Sequence, residues 1–312
     1  MKICSYGVGG VGGYIGSIMV NELKSNHEFY FVARNKHKNA IIENGLTLKK
    51  DGGSEIITVF PDRCVDSVDE LPVCDIIIVS VKSYDLAHVA DALNKIASEN
   101  TLVLPLLNGV DIYERIREHF TRGIVLPSCI YVGTYIESPG VIYQKGGSCK
   151  IFIGKDPRFP DIYPETLLSL LTQSHVDFSW EENILVAIWS KFMFIAAYGL
   201  VGAAFDKTLG QMTDDPLISQ QVKSIMTEIK AIATALHIDL DNDIVESSFS
   251  KARQFPPETR TSFQRDIALK GSVNESDLFA GSVIRYGQSL GIPAPATIDV
   301  SEKLTKTIGA MT

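Results

Sequence analysis

Apolar and polar positions follow two regimes along the chain. Over roughly the first half, short apolar runs alternate with stretches of helical spacing. Residues 3–6 form a short strand running into glycines, 13–24 a helix, and 29–33 a second strand. Residues 75–81 (DIIIVSV) are a continuous apolar run, as expected of a central parallel strand covered on both faces. Residues 87–97 have helical spacing, 102–107 are a further strand, 112–120 a short helix, and 124–132 strand-like. Strands and helices alternating at this spacing predict an α/β fold with a Rossmann-type doubly wound parallel sheet. Ser138-Pro139-Gly140 then marks a turn, with 141–144 and 151–153 as antiparallel strands, 163–172 as a helix and 176–180 as a closing strand. From Asn183 onward the spacing is helical: 184–205, 216–237, 276–290 and a last helix after Ala296. The pattern predicts a nucleotide-binding domain over 1–182 and an all-helical domain over 183–312.

Composition narrows the function. The 312 residues are 45% hydrophobic and 21% charged, enough for two ordinary cores. A net charge of −8 is the wrong sign for a protein whose main partner is nucleic acid or anionic lipid. The five cysteines show no C-x-x-C spacing, and the six histidines are scattered, so neither a disulfide framework nor a metal is expected. The opening MKICSYG has no signal-peptide pattern, and the expected location is cytoplasmic. The apolar stretch 184–205 has the length of a membrane span, but Lys191 stands near its middle. A lysine at a bilayer centre costs about 2.5–3.5 kcal/mol, so a buried helix is the better reading.

The chemistry begins at Gly7-Val8-Gly9-Gly10-Val11-Gly12, a G-x-G-x-x-G placed between a strand and a helix. Gly7 permits a tight turn, Gly9 lets the backbone approach a pyrophosphate, and Gly12 lets the helix pack close to the strand. The helix N-terminus offers unpaired N–H groups to phosphate oxygens. At the end of the second strand, where an NAD site carries an acid, stands Arg34, with Lys36 and Lys38 close by. A guanidinium there suits a 2′-phosphate, so the expected cofactor is NADP(H). Lys82 and Asn108 follow successive apolar strands on the edge where ligands bind. Lys82 could steady a ribose or a carboxylate, and Asn108 could bond a ribose or hold a catalytic lysine. Lys191 is either desolvated by its apolar neighbours, which suits proton transfer, or reaches out to solvent from a wet helix face. Its place at the domain junction favours catalysis.

These residues resemble the ketopantoate reductase (2-dehydropantoate 2-reductase) family over most of the chain. The resemblance runs through GVGGVGGYIG, Ala33-Arg34, Val81-Lys82, Leu107-Asn108-Gly109, Glu137-Ser138-Pro139-Gly140 and Ile188-Trp189-Ser190-Lys191. It continues in Thr261-Ser262-Phe263-Gln264-Arg265-Asp266, Glu275-Ser276-Asp277 with Gly281, and Leu290-Gly291-Ile292-Pro293. It implies hydride transfer from NADPH to the keto carbon of 2-dehydropantoate, giving pantoate for coenzyme A synthesis. It further implies Lys191 as general acid and Glu275 as holder of the substrate hydroxyl or of the lysine. Ser262 would bond the substrate carboxylate, Asn108 would bridge cofactor and substrate, and Arg34 and Lys82 would bind the cofactor. The chain departs from the family where asparagines usually follow the lysine one and two turns on; here stand Ile195 and Gly199. Ala280 replaces another common asparagine, and the segment 266–275 is one residue longer than usual. The departures leave a different 2-keto acid, or a non-enzymatic NADP(H) sensor, as alternatives. A homodimer through the helical half would bury the apolar patch that long helices leave.

Overall fold

The computed structural model describes residues 1–146, 148–270 and 274–309. The chain divides into two compact units, Met1–Asn108 with Ile112–Ile184, and Gly109–Asp111 with Leu185–Thr312.

The first unit is built on β1 (Lys2–Tyr6), α1 (Gly10–Leu23), β2 (Glu28–Val32) and α2 (Asn35–Asn44). A hairpin follows, β3 (Leu46–Lys50) and β4 (Glu55–Val59), and then β5 (Arg63–Val65). The chain continues through β6 (Ile76–Val79), α3 (Leu86–Ile96), β7 (Leu102–Pro105), α4 (Ile112–His119) and β8 (Ile124–Val125). Six strands pair in the order β5-β2-β1-β6-β7-β8, every pair parallel. The chain winds outward one way from β1 and the other way from β6, so the topological switch lies between these two strands. Ligands of open parallel sheets bind outside the strand C-termini at such a point. All four residues of β6 are buried, which is why its sequence runs apolar without alternation.

Two smaller sheets complete this unit, using β9 (Ser128–Tyr131), β10 (Thr134–Ser138), β11 (Val141–Gln144), β12 (Lys150–Gly154) and, after α5 (Glu165–Gln173), β13 (Phe178–Glu181). One has the order β10-β11-β3-β4 and the other β13-β12-β9. The segments 141–144 and 151–153, expected as antiparallel strands, are antiparallel strands of two different sheets. The turn at Gly140 commits β11 to an antiparallel pair with β10, while β12 pairs antiparallel with β9. The strand pair β3–β4 had no sequence assignment. Its alternation is visible in retrospect, because Leu46 and Leu48 are buried and Thr47 is not. A buried ion pair between Arg117 of α4 and Asp156 closes the far edge. Asp156 also accepts from Val125 N at 2.8 Å and Tyr113 Oη at 2.5 Å.

The second unit is helical: α6 (Ile184–Phe205), α7 (Leu209–Asp214), α8 (Pro216–Ala235), α9 (Ile244–Lys251), α10 (Ser262–Lys270), α11 (Ser282–Leu290) and α12 (Pro295–Gly309). The unit boundary falls at the first residue of α6. By length and composition α6 could cross a membrane, yet 61% of its most apolar window is buried within the protein. Phe192, Met193, Ala196, Ala197, Tyr198, Leu200 and Val201 are all buried, so apolarity around the helix reflects neighbours on several sides. α8 begins where Asp215 accepts from Leu217 N and Ile218 N and Pro216 takes the first helical position. The helix expected over 276–290 starts differently: Asp277–Gly281 is a π-turn, and α11 follows it. The longer segment 266–275 includes residues 271–273, which lie outside the described residues.

Candidate active site

The glycine loop leaves β1 at Gly7, whose φ of +94° an L side chain rarely adopts. The Gly7 carbonyl accepts from Ser80 Oγ at 2.6 Å, just past the end of β6. A Cβ on Gly12 would overlap both Ser80 Oγ and that carbonyl oxygen. A Cβ on Gly10 would lie 2.9 Å from the Thr134 backbone in β10. Gly9 differs, because a Cβ there would meet nothing within 4 Å. Three glycines thus admit neighbours, and Gly9 faces open space. Gly9 caps α1 without a side-chain bond, and the first turn of α1 carries no acid. Such an N-terminus presents backbone donors and a positive dipole end. A pyrophosphate fits this arrangement. Val8 is buried, and Val11 packs against the core.

Arg34 is exposed and caps α2. Its Nη1 lies 3.3 Å from Asp85 Oδ2, and Lys38 Nζ lies 2.5 Å from Asp66 Oδ2. Burial pushes the Tyr6 phenol, at the end of β1, upward, while the nearby Arg34 pulls it down. The guanidinium therefore stands by the C-terminal edge of β1. Lys82 is half-buried and opens the short turn Ser83–Asp85, and Asn108 is half-buried three residues after β7. Sequence reasoning missed Ser80 and Asp85. Ser80 interrupts the apolar run at its ligand edge and could have been noticed. Asp85 reaches Arg34 across 51 residues, a distance no local pattern reports.

In the helical unit Lys191 and Ile195 are half-buried and Gly199 is buried, at successive turns of one face of α6. A Cβ on Gly199 would lie 3.6 Å from the Phe263 side chain, next to Ser262. Ser262 is exposed as the first residue of α10. Glu275 is only 7% exposed, and Ala280 is buried within the π-turn. The three segments carrying Lys191, Ser262 and Glu275 meet through aromatic rings. Phe279 stacks on Phe192 at 6.2 Å and meets Phe263 edge-on at 5.0 Å. Gln264 fixes the start of α10: its Oε1 accepts from Thr261 N, and its Nε2 donates to the Gly202 and Lys207 carbonyls at 2.9 Å. The Arg285 guanidinium bonds both oxygens of Asp277 and reaches Asp111 at 3.4 Å. Among the described residues, no three His, Cys, Asp or Glu are grouped to hold a metal ion.

The family model for ketopantoate reductase PanE/ApbA matches residues 3–158, and that for its C-terminal part matches residues 183–305. The chain belongs to the ketopantoate reductase family. Among curated members and relatives, the 2-dehydropantoate 2-reductase of Aquifex aeolicus (strain VF5) is 24% identical over 318 residues, covering 99% of this chain and 96% of that protein. The crystal structure of a PanE/ApbA family ketopantoate reductase from Ralstonia eutropha JMP134 superposes with a TM-score of 0.88 at 24% identity, over 99% of both chains. A ternary structure of D-mandelate dehydrogenase with NADH and anilino(oxo)acetate reaches 0.86 at 20% identity, again over 99% of both. The structural likenesses establish a shared fold. Membership of the ketopantoate reductase family makes the protein an oxidoreductase by descent.

Proposed function

We propose that the protein reduces a 2-keto acid to the 2-hydroxy acid with NADPH, 2-dehydropantoate being the first substrate to test. The observation that carries this reading is the convergence of the Lys191, Ser262 and Glu275 segments on Phe279, in a family member that also keeps an open Gly9 loop. The α1 N-terminus and the Gly9 backbone would hold the pyrophosphate, Arg34 the 2′-phosphate, and Lys82 and Asn108 the ribose side. The Arg34–Asp85 pair is exposed, and such pairs contribute little, so Arg34 can exchange Asp85 for a phosphate at low cost. Bound NADPH supplies the hydride. Ser262 would bond the carboxylate, and Glu275 the hydroxyl or the lysine. Lys191 would polarise the carbonyl and give its proton to the oxygen as charge develops there.

Ile195 and Gly199 favour a second substrate class, a 2-keto acid with a more apolar side chain than 2-dehydropantoate. Two positions where the family usually carries asparagine here offer a branched alkyl side chain and a glycine packed close to Phe263. A site built to bond a polar group discriminates strongly, so this change moves specificity before it moves chemistry. The D-mandelate dehydrogenase likeness supports a scaffold that accepts another 2-hydroxy acid.

The test is NADPH oxidation against 2-dehydropantoate and a panel of straight, branched and aromatic 2-keto acids. Turnover should fall about 10²–10⁴-fold in Lys191→Ala. If no panel member turns over above the Lys191→Ala control, the enzymatic reading fails, and cofactor binding without oxidation would point to a sensor. Arg34→Ala should weaken NADPH more than NADH, by about 1.5–3 kcal/mol. Equal losses would remove the phosphate role from Arg34.

A further inference from the structure

His37 is the third residue of α2, and neither the glycine motif nor the basic cluster accounts for it. Its Nδ1 accepts a hydrogen bond from Gly140 N at 3.0 Å, in the turn between β10 and β11. A ring nitrogen that accepts carries no proton, so the neutral ring bears its hydrogen on Nε2. That Nε2 is buried, with no hydrogen-bond partner. Burial holds the imidazole below its usual pKa, and the Val8 backbone, inside the glycine loop, is near enough to pull the other way. The Gly140 turn is stitched from the other side as well, because Gly140 O accepts from Thr47 N at 2.9 Å in β3. A Cβ on Gly140 would lie 3.0 Å from Ala40 Cβ, so helix and turn are already in contact there. One imidazole therefore ties α2, whose cap is Arg34, to the 138–140 turn, and the hairpin closed by that turn packs on the glycine loop, where a Cβ on Gly10 would meet Thr134 and one on Gly13 would meet Ile142.

We infer that His37 is a positioning residue of the dinucleotide site, holding the Arg34 end of α2 and the glycine loop at a fixed separation by way of the Gly140 turn. The inference rests on the dinucleotide reading given above. The ring works as a spacer with a directional bond on one side. Nδ1 fixes the ring to the turn, and through it sets the distance between α2 and the hairpin on which Gly10 and Gly13 pack. Loss of the Nδ1 acceptor strands a backbone N–H and frees α2 to shift relative to the loop. The effect would fall on cofactor affinity and leave the proton-transfer step untouched.

The experiment measures NADPH and NADH binding by fluorescence titration, with KM and kcat for the best keto acid, on the full chain and three variants. His37→Leu should raise the NADPH Kd and KM about tenfold, with kcat held within about a factor of two. His37→Asn keeps an acceptor at the δ position and should return to within about threefold of the parent, whereas His37→Gln, whose acceptor sits one bond further out, should behave like His37→Leu. If His37→Leu does not fold, the Asn-against-Gln comparison decides alone. Unchanged cofactor KM in His37→Leu, a loss confined to kcat, or Asn binding no better than Gln overturns the inference. If the parent binds neither dinucleotide, the functional reading falls and takes this inference with it. If the parent binds and every variant binds equally, the inference alone falls.

Discussion

Replacing Gly12 by alanine would drive a methyl group into Ser80 Oγ and the Gly7 carbonyl, two atoms already bonded to each other at 2.6 Å. The hydroxyl can rotate away only by giving up its bond, and the carbonyl can yield only by moving the turn. Overpacking of this kind costs about 1–3 kcal/mol or more, and the melting temperature of Gly12→Ala should fall accordingly. Gly9→Ala should melt with the parent, because its methyl enters open space. That same space is where a pyrophosphate would come against the backbone, so dinucleotide affinity should drop in Gly9→Ala while stability holds. Thermal melts paired with cofactor titration separate the two. The motif spelled out where three of these glycines stand but not the identity of their neighbours. Ser80 and Val81, just past β6, and Thr134 of β10 are far along the chain, and only the fold brings them to Gly12, Gly7 and Gly10.

At the scale of elements, one side chain ties the start of α10 to the end of α6 by hydrogen bonds. Gln264 accepts from Thr261 N and donates to the carbonyls of Gly202 and Lys207, where α6 comes to its end. Gly202 is small for the same contact, since a Cβ there would lie 2.8 Å from Gln264 Oε1. Gln264→Leu would take a bond from the Thr261 N–H and from the Lys207 carbonyl, at about 1–3 kcal/mol, while Gly202 O keeps Lys207 N, and would loosen the start of the helix on which Ser262 stands. Chemical denaturation should show the lost stability, and the KM for the keto acid should rise with it. Elements dominated by their own pattern were legible in advance: α6 has the ends its apolar run suggested, 184 and 205. Elements that depend on pairing were not. β3 and β4 are short and half exposed; β3 lies beside β11, bonded at Thr47 to the Gly140 turn nearly a hundred residues on, and among the described residues β4 pairs only with β3. The π-turn before α11 has an ordinary helical sequence. A Cβ on Gly281 would overlap Asp277 Oδ1 and lie 2.9 Å from Arg285 Nη1, a tertiary fact invisible to spacing.

For the whole molecule, a ligand that binds only the folded chain adds RT ln(1 + [L]/Kd) to its stability, about 2.7 kcal/mol at a hundredfold excess over Kd. NADPH should therefore raise the melting temperature of the parent in a concentration-dependent way, and raise that of Gly9→Ala much less at the same concentration. A parent protein whose melting temperature is indifferent to both NADPH and NADH would contradict the dinucleotide site. The net charge of −8 does not oppose a phosphorylated cofactor. What matters is the local field: Arg34, near the β1 edge, is held in an exposed pair with Asp85 that an incoming phosphate can compete for.

The two units are not two consecutive lengths of sequence. The chain enters the helical unit at Gly109, leaves after Asp111, and returns at Leu185. Asp111 is held there by Arg285, which also grips Asp277, two residues beyond Glu275. Anyone exchanging C-terminal halves between relatives at a single seam near residue 184 would therefore leave three residues of the recipient's helical unit behind. The grafted arginine would meet whichever side chain the other parent carries at 111. A chimaera that preserves both halves needs a second, much smaller insert at 109–111, chosen from the same parent as the helices.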